Sequence, residues 1–454
     1  MVMTHYQKFL NNIKLNSYEQ LIYQGTLSLH LIFLYQVMDK ATYGLQGITF
    51  AIIYLTSALL NLGLDTSIAP FFSIATKNKT LFKKLFLYQL AFQAVVLIVA
   101  PVFLFVLAGN NSWLGEKMKM LGFGNLLLCW LIVVSEGIKY SLRIFLRCAF
   151  LNIKIIFIEL QMIFTFVFIV WGLYFETGHI TLTTLLAPLA ICSGMAVFNL
   201  GKVLHTFYTG LPDGDEHQVS PSLRKRIFSS RLFGSLHQIN HQLFSGNLLI
   251  PSYAYLAGDS AAGTLSLLTS VMYFFKAVVG KTLGSSYEAT MSQSKDLDHG
   301  NKQELFNKTA GITYSALNIL AAALFIVVFP IIMYATRTPA TTPNLAHMYL
   351  YLIFMFSENF FTIYEKFFIA EEKTHLFLAL NIVMNFSFFL ITLYPSSTSL
   401  THCLVLIMLI RFLCLGFLIA FSFYRWGIQP GSKRSFTNLF YPLIAGLSFI
   451  YTLI

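Results

Sequence analysis

Residues 229–250, SSRLFGSLHQINHQLFSGNLLI, set an arginine, two histidines, two glutamines and two asparagines into a stretch otherwise suited to a nonpolar environment. At 100° per residue, Arg231, Ser235, Gln238, Gln242 and Ser245 fall within an arc of roughly 80°, with Gly234 and His241 on its flank. A second stripe runs through 263–285, as Ser266, Thr269, Tyr273, Lys276, Gly280 and Gly284. Residues 45–68 offer Tyr54, Ser57, Asn61 and Asp65, and 21–38 offer Gln24, Ser28 and Tyr35. Cationic groups neutralise phosphate, while amides and hydroxyls hydrogen-bond polyols. Four such stripes facing one another across a gap would suit a diphosphate carrying sugars. The candidate binding set is therefore Lys276, Arg231, Gln238, His241, Gln242, Tyr273, Asn61 and Gln24. The same groups would also serve as hydrogen-bond links between helices, and Arg231, near the start of its run, would equally snorkel to an interface.

Two carboxylates stand apart. Glu358 sits mid-way along 345–366 and Arg411 mid-way along 400–424; they pair as a structural ion pair, or Glu358 binds a coupling ion, H+ or Na+. Asp65 has the same two readings, ion pair or coupling site. HQINH has the i, i+4 histidine spacing of a zinc helix, but Gln238 stands where the basic glutamate belongs and no third ligand is evident, so no metal is expected. There is no GxxxxGK[ST] loop, so the chain is not expected to hydrolyse ATP, and no cofactor is expected.

The elements that must carry these residues follow from composition. With 56% hydrophobic residues, 11% charged and 45 phenylalanines in 454 residues, this is a polytopic membrane chain of the all-α class. Runs long enough to span a bilayer fall near 21–38, 45–68, 85–108, 120–141, 151–174, 181–204, 227–250, 263–285, 308–335, 345–366, 375–395 and 400–424. A shorter apolar run at 438–454 is left open as an extra C-terminal span. The net charge of +11 comes from clusters between runs rather than from one soluble face, so nucleic acid is excluded and membrane lipids are the expected partner. With the N-terminus inside, the inner segments hold Lys8, Lys14, Lys77, Lys79, Lys83, Lys84, Lys139, Arg143, Arg147, Lys154, Lys202, Arg224, Lys225, Arg226, Lys295, Lys302, Lys308, Lys366, Lys373, Arg425, Lys433 and Arg434, whereas the outer loops hold only Lys40, Lys117, Lys119 and Arg337. The five cysteines lie in or beside apolar runs, against a disulfide framework. The first span reads as an uncleaved anchor.

Landmarks recur at one period. Ser135-Glu136 and Ser357-Glu358 are 222 residues apart, and the glycine pair Gly44/Gly63 returns as Gly263/Gly284. The expected fold is twelve core transmembrane helices in two parallel-repeat six-helix bundles around a central cavity. The bundles would be 1–207 and 227–425, with 208–226 as cytoplasmic linker and 426–454 as a loop with the extra C-terminal run.

The segment Asp39 to Phe72, DKATYGLQGITFAIIYLTSALLNLGLDTSIAPFF, with Tyr43-Gly44 and Leu62-Gly63-Leu64-Asp65, resembles the start of the polysaccharide flippases of the multidrug/oligosaccharidyl-lipid/polysaccharide (MOP) superfamily. AGDSAAGTLSLLTSV, from Ala257, resembles the corresponding place in the second half. The resemblance implies a carrier, not an enzyme. It would turn an undecaprenyl-diphosphate-linked oligosaccharide of the O-antigen type from the cytoplasmic to the outer leaflet of the inner membrane by alternating access. A polysaccharide polymerase or chain-length protein would be its partner. Two readings compete. A drug/cation antiporter of the same superfamily would want an acidic cavity, which Arg231 and Lys276 oppose and Asp65 and Glu358 favour. An integral-membrane polysaccharide polymerase or glycosyltransferase would need carboxylates gathered on the outer face, where Asp39 and Asp259 lie in separate loops.

Overall fold

The computed structural model describes residues 2–64, 68, 71–76, 78–109, 113–149, 151–213 and 221–243. It also describes short stretches at 250–251, 254–255, 258–259, 262–263, 266–267, 300–301, 303–308, 311–312, 364–365, 368, 375–376, 378–379, 382, 413–414, 416–422 and 424. Among these residues every regular element is helical. They fall into two compact units, Leu29–Leu267, and Met1–Ser28 with Leu268–Ile454. Within the latter, the rings of Phe306 and Tyr364 meet at 5.5 Å, Phe421 stacks on both Phe368 and Phe417, and Lys308 bridges Glu304 one turn away.

The helices are α1 (Val2–Val37), whose last turns belong to the unit Leu29–Leu267, α2 (Lys40–Leu60), the single turn α3 (Phe72–Ala75), α4 (Lys79–Gly109), α5 (Trp113–Cys148), α6 (Asn152–Thr177), α7 (Leu182–Thr209) and α8 (Pro221–Leu243). Their ends are written in the sequence. Extended backbone at Asp39 lets its carboxylate accept the Thr42 N–H at 2.9 Å and start α2. A reciprocal Thr181/Thr184 box starts α7. Gly178, at φ +71°, ends α6 in the left-handed conformation that costs glycine least.

Among the described residues, four stretches are long and apolar enough to cross a membrane by length and composition: Lys40–Leu60, Lys119–Cys148, Asn152–Thr177 and Leu182–Thr209. Lys119–Cys148 and Leu182–Thr209 run past the sequence-drawn ends at 141 and 204, while Lys40–Leu60 stops short of its run, which continues to 68. The helix stops at Leu60 because Asn61 caps it and Gly63 turns at φ +67°. Apolar residues carry on through the turn, so hydropathy alone overshoots.

Helix α5 packs against α2, α4 and α7. At one end of the unit, Phe72, Phe82, Phe145 and Phe207 pack ring against ring, with Phe82 and Phe145 at 5.5 Å. Lipid tails are as apolar as leucine, so such a cluster holds by close packing and ring geometry rather than by exclusion of water. Lys79 fastens the same end, its N–H to Pro212 O at 3.2 Å and its ammonium to Asp213 at 2.9 Å. Successive helices antiparallel to one another bring Lys79, Lys83, Lys84, Arg147, Lys154, Lys202, Lys225 and Arg226 to this lysine-rich end, and leave Lys40, Lys117 and Lys119 at the other.

Candidate functional site

Helix α2 is the spine of the candidate site. Near the lysine-rich end Asn61 closes it, its side-chain amide donating to Ser57 O at 2.8 Å. The Asn61 carbonyl oxygen then accepts from Gln93 Nε2 of α4 at 2.7 Å and from the Ser141 hydroxyl of α5 at 3.2 Å. Gln93 Nε2 also donates to Ser141 Oγ and, at 3.3 Å, to Gly137 O. Two residues on, the Gly63 N–H donates to Gln238 Oε1 of α8 at 3.0 Å. A Cβ at Gly63 would collide with Arg231 O and stand 2.8 Å from Ser235 N. Both the left-handed φ and this approach require glycine.

Arg231, one turn before Ser235, is 3% exposed. Its Nη1 donates to Gln89 Oε1 of α4, and its guanidinium lies over the Tyr88 ring at 5.7 Å. Arg231, Gln238 and Asn61 are thus brought into one neighbourhood by the meeting of α2, α4 and α8. Gln24 is buried in α1. His241 and Gln242 are on the helical backbone of α8, and their side chains lie outside what is described. Lys276, Tyr273, Asp65, Glu358, Arg411 and the run 438–454 lie outside the described residues. Gln89, Gln93 and Ser141 belong to this neighbourhood and are absent from the sequence candidates, although QLAFQ puts the two glutamines at i, i+4 on one helical face.

Toward the other end α2 meets the stretch that begins span eight. A Cβ at Gly44 would collide with Asp259 O, one at Gly47 would lie 2.6 Å from Ser266 Oγ, and one at Gly263 3.1 Å from Lys40 O. Asp259 also binds the Lys117 ammonium at 2.5 Å. Tyr43 is buried beside Gly44, its ring edge-on to Tyr35 at 5.1 Å. The Tyr43-Gly44 and Leu62-Gly63 pairs that carry the sequence resemblance therefore sit where backbone comes close, at Asp259 and at Arg231.

Further charges lie inside the helices. Glu136 Oε1 accepts from the Lys139 ammonium at 2.6 Å and from the Ser193 hydroxyl of α7 at 2.7 Å. Arg143 reaches Glu159 of α6 at 3.3 Å. Lys139 and Glu159 are 3% and 2% exposed, so these bonds offset charges that the interior would otherwise oppose.

No family model and no curated protein matches the chain. Solved structures do. The outward-facing conformation of a multidrug resistance MATE family transporter of the MOP superfamily has a TM-score of 0.67 at 11% identity, covering 97% of this chain and 96% of that one. A MOP superfamily transporter from Pyrococcus furiosus, described as having a binding pocket of reversed polarity that suggests a different function, gives the same values, 0.67 at 11% identity over 97% and 96%. The MATE multidrug transporter DinF-BH in complex with rhodamine 6G gives a TM-score of 0.63 at 14% identity, over 91% of this chain and 95% of that one. The likeness runs over nearly the whole length, and the chain has the all-helical fold of the MATE transporters of the MOP superfamily.

Proposed function

We propose that the chain is a multi-pass membrane transporter that works by alternating access and exchanges its cargo against a cation, H+ or Na+. The observation that carries this reading is the end-to-end likeness to transporters, over 97% of the chain. Of the cargo classes the sequence leaves open, drug or organic-cation antiport has the wider support, because two of these neighbours are described as multidrug transporters and one holds rhodamine 6G. The lipid-linked oligosaccharide is the second reading, and it rests on the buried guanidinium of Arg231 among amides. The Pyrococcus furiosus neighbour, whose reversed pocket polarity is described as suggesting a different function, is a precedent for this fold serving more than one role.

In this reading the N-terminus faces the cytoplasm of an inner membrane and the lysine-rich end is the cytoplasmic one. Residues 1–207 and 227–425 are two six-span bundles joined by 208–226. Lys276, Tyr273, His241, Gln242 and Gln24 line the cargo path with Arg231, Gln238 and Asn61, and Glu358 or Asp65 takes the coupling ion. Inward opening parts Gly63 from Gln238 and Gln89 from Arg231. Outward opening parts Gly44 from Asp259.

The test is efflux of rhodamine 6G from proteoliposomes under an imposed H+ or Na+ gradient. Gradient-dependent acceleration over empty liposomes is expected. Folded protein that moves no dye, yet restores glycan display to cells lacking a polysaccharide flippase, would replace the drug reading with the flippase reading.

A further inference from the structure

His30 lies in the middle of the first apolar run and is 1% exposed. Its Nδ1 accepts the indole N–H of Trp171 of α6 at 3.1 Å. An indole nitrogen donates and does not accept, so Nδ1 is the unprotonated nitrogen and the ring hydrogen is on Nε2. Among the described residues Nε2 has no hydrogen-bond partner. Two aromatic side chains, Phe166 and Trp171, meet the ring. Phe166 meets it edge-on at 5.2 Å, while Phe33 packs on Trp171 at 5.0 Å and on Tyr174 at 5.3 Å.

Charged and titratable groups on the helices around it are either distant or taken. Glu159 of α6 precedes Phe166 by seven residues, about 10 Å along the axis, and is held by Arg143. Glu176 and His179, beyond Trp171, are exposed. On α1 the neighbours are Tyr23 and Tyr35, and Tyr35 packs on Tyr43 of α2, whose one charged residue, Lys40, is exposed at the helix start.

We propose that His30 is an intramembrane proton-binding site and that Trp171 is the side chain that responds to its occupancy. A proton delivered from water adds to the Nδ1 lone pair, and the Trp171 N–H···Nδ1 bond breaks, because the imidazolium has only donors. A charged imidazole at this depth needs water or a counter-charge, so uptake belongs to a conformation in which the aromatic packing between α1 and α6 has opened. The role in coupling rests on the transporter reading. Proton binding itself does not, and it is measured without cargo.

The probe is Trp171 fluorescence in a variant carrying Trp113→Phe, Trp130→Phe and Trp426→Phe, held in phosphatidylglycerol/phosphatidylethanolamine nanodiscs. Lowering pH from about 8 to about 3.5 should quench emission roughly twofold in one sigmoidal step, as imidazolium forms beside the indole. In His30→Gln, whose carbonyl keeps an acceptor for Trp171, the signal should stay flat. A flat signal with His30 present, or the same step in folded His30→Gln, overturns the assignment. Ring-15N histidine spectra give a second measurement that does not need the glutamine variant. Trp171→Phe should move the titration of a single histidine, and no movement overturns the proposal. A fluorescence step without any cargo transport keeps the proton site and removes the transporter reading.

Discussion

The side-chain carbonyl of Gln238 accepts the backbone N–H of Gly63 at 3.0 Å, joining α8 to the turn that ends α2. The bond satisfies the N–H of a turn residue just past the C-terminal end of α2, and it does so across 175 residues of sequence. Gln238→Ala leaves that N–H without its acceptor and should cost about 1 to 3 kcal/mol. Gln238→Glu keeps an acceptor and should cost less. Gly63→Ala should be the worst of the three, at about 2 kcal/mol or more, because the left-handed backbone and the contact with Arg231 O add. Thermal unfolding in detergent ranks them, and Gly63→Ala as stable as the parent would contradict the packing of α2 on α8.

Glu136 and Lys139 should behave as a unit. Glu136→Gln leaves a buried ammonium without its carboxylate, and Lys139→Met leaves the carboxylate with only the Ser193 hydroxyl. Each single change should lose about 3 to 5 kcal/mol, and the double change should recover part of that loss. A double-mutant cycle on folded protein yield and unfolding temperature measures the coupling; strict additivity would show that the pair contributes nothing as a pair.

Asp39 carries a pH dependence of known sign. Its hydrogen bond with Thr42 holds the carboxyl below the usual carboxylate range in the folded protein. A carboxyl lowered on folding adds stability above its unfolded value, and that stability is lost as pH falls through the folded value. Asp39→Ala should therefore cost about 0.5 to 2 kcal/mol near neutral pH. The difference between Asp39→Ala and parent should shrink below about pH 4, where both lack the ionised cap. Unfolding temperatures compared across that range decide it.

How much of this is legible in the sequence depends on which physical rule wrote each feature. Arg231, Gln238 and Asn61 stand out because a 3.6-residue period sets polar groups against an apolar background, and the structure does gather them. Gln89, Gln93 and Ser141 do not, because their meaning lies in what α4 and α5 are packed against, which no period encodes. Hydropathy misplaces the end of α2, since Leu62 and Leu64 are as apolar as the helix before them while Gly63 sets the turn. Glu136 with Lys139 is readable as a pair from spacing alone, but Ser193, from another helix, is not.

Charge on span eight separates the two cargo readings. If 263–285 is one helix, as its sequence suggests, its period sets Lys276 on one stripe with Ser266, Thr269 and Tyr273. If the cargo carries a diphosphate, a charge-assisted contact of about 1.5 to 3 kcal/mol is at stake. Lys276→Ala should then weaken cargo binding roughly 10- to 100-fold, Lys276→Arg should retain much of it with a less fitting planar fork, and Lys276→Glu should be worst. If the cargo is an organic cation the order reverses: removing the ammonium lowers repulsion in the path, so Lys276→Ala should move rhodamine 6G at least as fast as the parent and Lys276→Glu faster still. Dye efflux and glycan display, measured on the same three variants with folded protein quantified in parallel, give opposite rank orders under the two readings. Equal activity of all three in both assays would remove Lys276 from the cargo path.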